Sequence, residues 1–255
     1  MKRLEGKVCL ITGSNSGVGE ESAVSFVKEG AKVIICARRE EPLLTAKAKL
    51  EELGGEVLAV KCDIAKQEDV DHLFKEIEKK FGHLDVLVNN AGVLDHNLNP
   101  IASYTDEDFD RVVSVNEKGT MQVTRRALKM MEEQKAGTIV NVASVAGYTG
   151  GGGAVYVATK GAMIALTKHT AMRYAGTKIR ANAICPGSII TPMTTSMDMK
   201  AVNMDMMTQM AKHADIRGCK PCMANDVADV ILFLASDESR ALTGQIIVSD
   251  FGADL

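Results

Sequence analysis

The sequence has no long apolar run. Its longest late stretch, Val230 to Ala235, falls far short of the roughly 20 residues that cross a bilayer. The start, Met1-Lys2-Arg3-Leu4-Glu5-Gly6, is followed only by the short run Val8 to Ile11, which is not a secretory signal. No lipidation signal is present either, so the expectation is a cytoplasmic protein with no membrane partner. Positive charge is not in surplus: the formal net charge is −3, which removes the basic balance of a general nucleic-acid binder. There is no repeat of solenoid period and no Pro/Ser/Gly-rich linker, so residues 1–255 read as one domain. Cysteine is sparse, at six. Cys9, Cys36, Cys62 and Cys185 sit in apolar strand-like runs, where Cys acts as a small hydrophobe. Cys219-Lys220-Pro221-Cys222 has the spacing of a metal half-site but no second pair of ligands. It also lies too late in the chain for a thioredoxin-type motif. It reads as a plain loop with two reduced thiols, and no metal is expected.

What is present is a core-forming alternation. Hydrophobic residues make up 46% and charged residues 25%, as in ordinary soluble domains. Short apolar runs read as strands at Val8–Thr12, Lys32–Ala37, Val57–Cys62, Val86–Asn89, Thr138–Ala143, Ile179–Cys185 and Gln245–Ser249. Between them, amphipathic stretches read as helices at Gly17–Glu29, Pro42–Leu53, Gln67–Phe81, Asp106 to Met131, Ala154–Tyr174 and Asn225–Ser236. The strands are continuously apolar rather than alternating, as in sheets buried on both faces. About seven strands alternating with helices predict a single α/β domain with a doubly wound parallel sheet. Ligands should then sit beyond the carboxyl ends of the strands.

Thr12-Gly13-Ser14-Asn15-Ser16-Gly17-Val18-Gly19 lies between the first strand and the first helix. Glycines there permit a tight turn and close approach of backbone to phosphate, and the helix start offers unpaired N–H groups. The spacing is a variant of the dinucleotide fingerprint. An NAD site would place Asp or Glu after the second strand to hold the ribose 2′-OH. This chain has Cys36-Ala37-Arg38-Arg39 instead. Guanidinium suits a 2′-phosphate by charge and by its fork of donors, so NADP(H) is favoured over NAD(H). Glu40 and Glu41 are close enough in sequence to neutralise both arginines.

Tyr156 and Lys160 stand four apart on a predicted helix and so share a face. A nearby ammonium favours a phenolate. Moving a tyrosine from about 10 to near 7 takes about 4 kcal/mol, which a close Lys and a cationic nicotinamide together are expected to supply. Ser144 follows the strand Thr138–Ala143, at the carboxyl edge where a cofactor belongs, and its hydroxyl can bond a substrate oxygen. Asn116, within Val115-Asn116-Glu117-Lys118-Gly119, reads on its own as a residue that bends or caps a helix.

In order and spacing, several marks resemble the short-chain dehydrogenase/reductase family over essentially the whole chain. They are Thr12-Gly-x-x-x-Gly-x-Gly19, Asp63, Asn89-Asn90-Ala91-Gly92, Asn116, Ser144, Tyr156-x-x-x-Lys160, Pro186-Gly187 with Thr191, and Thr243-Gly244-Gln245. The resemblance implies a Rossmann fold, a homotetramer or homodimer, and a tetrad of Asn116, Ser144, Tyr156 and Lys160. Tyr156 would exchange the hydroxyl proton, and Ser144 would polarise the carbonyl. Lys160 would lower the tyrosine pKa and hold the nicotinamide ribose. Asn116 would support a water relaying protons to Lys160. Around the cofactor, Gly13, Ser14, Asn15, Ser16, Gly17, Val18 and Gly19 would form the phosphate loop. Asp63 and Ile64 would flank the adenine, Asn90, Ala91 and Gly92 the centre, and Pro186, Gly187, Ile189 and Thr191 the carboxamide region. Two departures stand out. Ser16 takes the place of a basic residue common in NADP-preferring members, which leaves more to Arg38 and Arg39. Asp250-Phe251-Gly252 stands where Asp-Gly-Gly is frequent.

By the same resemblance, residues 188–215 form a lid over the substrate. Met193, Met197, Met199, Met204, Met206, Met207 and Met210 crowd it, and methionine is flexible and soft. Gly150 to Gly153 should leave one wall pliable. The expectation is interconversion of a secondary alcohol and an apolar ketone, with a hydroxysteroid or bile acid as substrate. The alternative is a 3-oxoacyl thioester on a carrier protein, and a small diketone or polyol is a third. A binding protein that holds NADP(H) without turnover stands against these, although it would not need the full tetrad. A sugar-nucleotide epimerase would need an added domain for which 255 residues leave no room.

Overall fold

A computed structural model of the chain describes residues 2–213 and 219–253. The first half runs β1 (Val8–Thr12), α1 (Gly17–Lys28), β2 (Lys32–Ala37), α2 (Glu40–Glu52), β3 (Glu56–Lys61), α3 (Gln67–Phe81) and β4 (Val86–Asn89). The second runs α4 (Asp106–Val113), a π-helical turn (Ser114–Gly119), α5 (Thr120–Gln134), β5 (Ala136–Val142), α6 (Ala146–Thr149), α7 (Ala154–Arg173) and β6 (Lys178–Pro186). There follow β7 (Ile189–Ile190), α8 (Pro192–Thr195), α9 (Met204–His213), β8 (Cys222–Met223), α10 (Ala224–Ala235) and β9 (Ile246–Ser249).

Seven strands form one parallel sheet in the order β3-β2-β1-β4-β5-β6-β9. Because side chains alternate across a strand, β1 sends Cys9 and Ile11 to one face and Val8 and Leu10 to the other. The first pair joins a core with Phe26 of α1 and Ile231 of α10, the second a core with Phe74 of α3 and Val123 of α5. All four side chains are fully buried, which is why the run shows no polar alternation. The strand order reverses between β1 and β4, and a crevice opens there at the carboxyl ends.

A buried polar chain fixes the second half. Asn89 Nδ2 donates to Thr124 Oγ1 at 2.9 Å and to Asn141 Oδ1 at 2.8 Å, and Asn141 Nδ2 donates to Thr167 Oγ1 at 2.8 Å. These bonds tie β4 and β5 to α5 and α7, and so set where α7 delivers its side chains. Helix α2 begins at Glu40 rather than Pro42. Pro42 is tolerated at the third position because the first helical amides lack partners in any case. The stretch Asp106 to Met131 is helical but carries the π-turn, and Cys222 lies in a short strand rather than a loop. Residues 188–215 hold α8 and α9 beside the crevice, with 214 and 215 outside the described residues. Among the described residues no helix is long and apolar enough to cross a membrane.

Candidate active site

A cavity of about 700 Å³ follows the carboxyl edge of the sheet. At one end is the loop after β1. A Cβ on Gly13 would meet the Ala91 backbone at 2.8 Å, and one on Gly19 would meet the Gly13 carbonyl oxygen at 2.5 Å. Asn90 locks this loop, donating from Nδ2 to the carbonyls of Thr12 at 2.9 Å and Gly13 at 3.0 Å. Helix α1 starts at the cavity with Ser16 as its cap, and among the described residues no side chain caps its first amides. Close backbone and free helix amides are what a pyrophosphate needs, so the residues fit a dinucleotide.

Of the residues expected to bind cofactor, Gly13, Asn15, Ser16, Gly17, Val18, Arg38, Arg39, Asp63, Ile64, Asn90, Ala91, Gly92, Pro186, Gly187, Ile189 and Thr191 line the cavity. Ser14 and Gly19 do not. Ser14 is fully buried and points back into the fold, donating to the Ile11 carbonyl at 2.8 Å and accepting from Cys36 N–H at 3.1 Å. Gly19 lies behind the loop as its packing partner. Arg38 and Arg39 are exposed at the end of β2. Of Glu40 and Glu41, the two acids close enough in sequence to neutralise them, Glu40 pairs with Lys61 at 3.1 Å.

At the other end, Ser144, Tyr156 and Lys160 share one wall. Lys160 is 4% exposed and donates to the Val142 carbonyl at 2.8 Å. Its Nζ lies 5.6 Å from the centre of the Tyr156 ring. Asn116 is buried behind them and does not line the cavity. Its Oδ1 accepts from Val93 N–H at 2.8 Å, and its Nδ2 donates to Thr159 Oγ1 at 3.2 Å. Asn116 sits in the π-turn, and a Cβ on Gly92 would find Asn116 Oδ1 at 3.4 Å and Lys160 Nζ at 3.6 Å. Gly92 thus lies against both Asn116 and Lys160.

The electrostatics differ from the sequence expectation. Burial pushes the Tyr156 phenol up to about 12, while the Ser144 hydroxyl pulls it down and Asp95 and Cys185 push it further up. Burial also lowers the Lys160 ammonium to about 8. Desolvation therefore sets the direction for both groups. In the protein alone Tyr156 is a neutral phenol at pH 7, poised to give a proton.

Five methionines of residues 188–215, Met193, Met197, Met206, Met207 and Met210, line the cavity, as do Leu94 and Leu98. Met199 and Met204 do not; both are exposed. Gly150, Gly151 and Gly152 line the wall, whereas Gly153 packs against Asp95. Asp95, Leu94 and Leu98 were not singled out from sequence. The loop that holds them has no periodicity, and its role comes only from what it touches.

Residues 7–201 match the family model described as short chain dehydrogenase. The chain is 41% identical over 251 residues to a 3-oxoacyl-[acyl-carrier-protein] reductase of Thermotoga maritima, covering 98% of each. It is 38% identical over 267 residues to a 3beta-hydroxysteroid dehydrogenase of Mediterraneibacter gnavus, covering 99% of this chain and 96% of that one. Its fold superposes on a 3-ketoacyl-(acyl-carrier-protein) reductase from Brucella melitensis complexed with NADH. The TM-score there is 0.87 at 34% identity, over 99% of this chain and 100% of that one. With this fold and a glycine loop suited to a nicotinamide dinucleotide, the chain belongs to the short-chain dehydrogenase/reductase family and is an oxidoreductase acting on alcohol and carbonyl groups.

Proposed function

We propose that this chain reduces a bulky apolar ketone, of the steroid or bile-acid kind, with NADPH, and runs the reverse oxidation with NADP+. The observation that carries the reading is the single cavity whose one wall bears Ser144, Tyr156 and Lys160 and whose far end bears the glycine loop and Arg38. Ser144 is the donor to the carbonyl oxygen, and Tyr156 passes its phenolic proton to that oxygen as it gains charge. Lys160 is the nearby cation that favours the resulting phenolate, and Asn116 holds the lysine's surroundings in place. Bound nicotinamide supplies the hydride.

Arg38 and Arg39, with no acid at the end of β2 and Glu40 turned to Lys61, support a 2′-phosphate and hence NADP(H). The five cavity methionines support an apolar substrate. Six free cysteines, five of them buried, suit the reducing cytoplasm. The likeness to the hydroxysteroid dehydrogenase supports the steroid reading, and the likeness to the acyl-carrier-protein reductase supports a 3-oxoacyl thioester as the second. A homotetramer or homodimer accords with apolar side chains left outside, among them Phe109, Met121 and Met172.

The test is cofactor oxidation, followed by absorbance, with NADPH and NADH against steroid ketones, 3-oxoacyl thioesters and small diketones. The reading predicts steroid ketones as the fastest class, and NADPH preferred by about tenfold or more. Faster turnover of the thioester overturns the substrate, and equal rates with NADH overturn the role of Arg38. Cofactor binding without turnover of any ketone would move the non-catalytic reading forward.

A further inference from the structure

Asp95 lies on the loop between β4 and α4 and is 3% exposed. Its Oδ2 accepts the Tyr156 backbone N–H at 3.4 Å, and its Oδ1 is buried with no hydrogen-bond partner among the described residues. The cap of α7 is Gly153, which offers no side chain. A Cβ there would collide with the Asp95 carboxylate. The first turn of α7 is thus capped from outside, by this carboxylate and by the Asn99 carbonyl, which accepts Ala154 N–H at 2.9 Å.

The loop is itself anchored. Arg111 of α4 donates to the Leu94 carbonyl at 2.6 Å, and His96 N–H donates to Asp108 Oδ2 at 2.9 Å. A buried carboxylate with an idle oxygen is costly, and neither helix capping nor loop anchoring uses that oxygen. The charged groups facing Asp95 are Asp108 and Arg111, both from α4. The titratable groups facing Tyr156 are Asp95, the Cys185 thiol of β6 and Lys160, beside the Ser144 hydroxyl. Burial pushes the Asp95 carboxyl above its usual range, the Tyr156 amide pulls it back, Asp108 pushes it up again and Arg111 lowers it. Arg111 and the positive end of α7 favour the anion.

We propose that Asp95 is a positioning residue for Tyr156: it fixes the first turn of α7, and its negative charge keeps the phenol protonated, biasing the site toward giving a proton to a carbonyl. The proposal rests on Tyr156 being the proton-transferring group. From its place on the Tyr156 amide the carboxylate acts on the phenol through space, and a negative charge within such reach disfavours the phenolate. Removing the charge while keeping an acceptor therefore makes Tyr156 easier to deprotonate.

The experiment is the pH profile of kcat/KM for alcohol oxidation with NADP+, which rises as Tyr156 ionises. Asp95→Asn keeps an acceptor for the Tyr156 amide. Its rising limb should move down by about half a pH unit or more, so that at one pH on the limb oxidation is about threefold faster. Asp95→Ser, also neutral and able to accept, should move the limb the same way if the asparagine variant does not fold. A lower melting temperature with the wild-type limb, or a limb moved upward, overturns the proposal. Tyr156→Phe separates the two claims. If it is inactive and the Asp95 limbs are unmoved, only the role of Asp95 falls. If it is as active as wild type, the proton-transfer reading falls first.

Discussion

Lys160 is held at a cost. Its ammonium is enclosed, and burial lowers it from 10.5 to about 8. Between those two values the unfolded chain binds a proton that the folded chain has released. Stability therefore rises with pH there, by at most about 1.4 kcal/mol per unit. Below pH 8 the lysine is charged in both states and the full penalty remains. Removing the amine should remove both the penalty and the slope. Lys160→Met is expected to lose activity, yet to melt no lower than wild type at pH 7. The stability of wild type minus that of the variant should climb from pH 8 to 10. Chemical denaturation across that range checks it. Residues such as Tyr156 and Lys160 were legible because four-residue spacing on a helix is a local signal. Asp95 was not, since its meaning lies 61 positions away in the Tyr156 amide.

Among the elements, the glycine loop carries the sharpest expectation. Gly19→Ala places a methyl 2.5 Å from the Gly13 carbonyl oxygen and 2.5 Å from Asn90 Nδ2. Neither neighbour is free to yield, because Asn90 is bonded to the same loop. Overpacking of this kind costs about 1–3 kcal/mol. NADPH affinity should fall by about tenfold or more, measured by fluorescence titration, with a lower melting temperature. Seven strands and their helices could be read from the sequence because buried parallel strands are unbroken apolar runs. The short pair β7 and β8 could not, since two residues show no period. The π-turn around Asn116 was hidden as well, because its residues keep helical composition while one hydrogen bond slips. Phe251 adopts a left-handed φ of 55°. Phe251 therefore holds a conformation that glycine would adopt without strain.

Taken whole, the molecule brings two ends of one cavity together from distant parts of the chain. The loop after β1 supplies one end, and α7 with the turn after β5 supplies the other. A Cβ on Gly17 would lie 3.4 Å from Thr191 Cγ2, so the glycine loop and the segment after β7 nearly touch. The alternation of strands and helices alone predicted a site at the carboxyl ends; which methionines line it depended on where α8 and α9 lie, which spacing does not encode. Because cofactor and substrate share this space, binding and chemistry should separate cleanly on one hydroxyl. The measurement is a single turnover of Tyr156→Phe with bound NADPH and a ketone that the wild type reduces, alongside NADPH titration of both proteins. The account predicts NADPH affinity within about threefold of wild type and reduction slowed by about a hundredfold or more. Reduction at the wild-type rate would contradict it, and would mean that the proton comes from another group in the cavity.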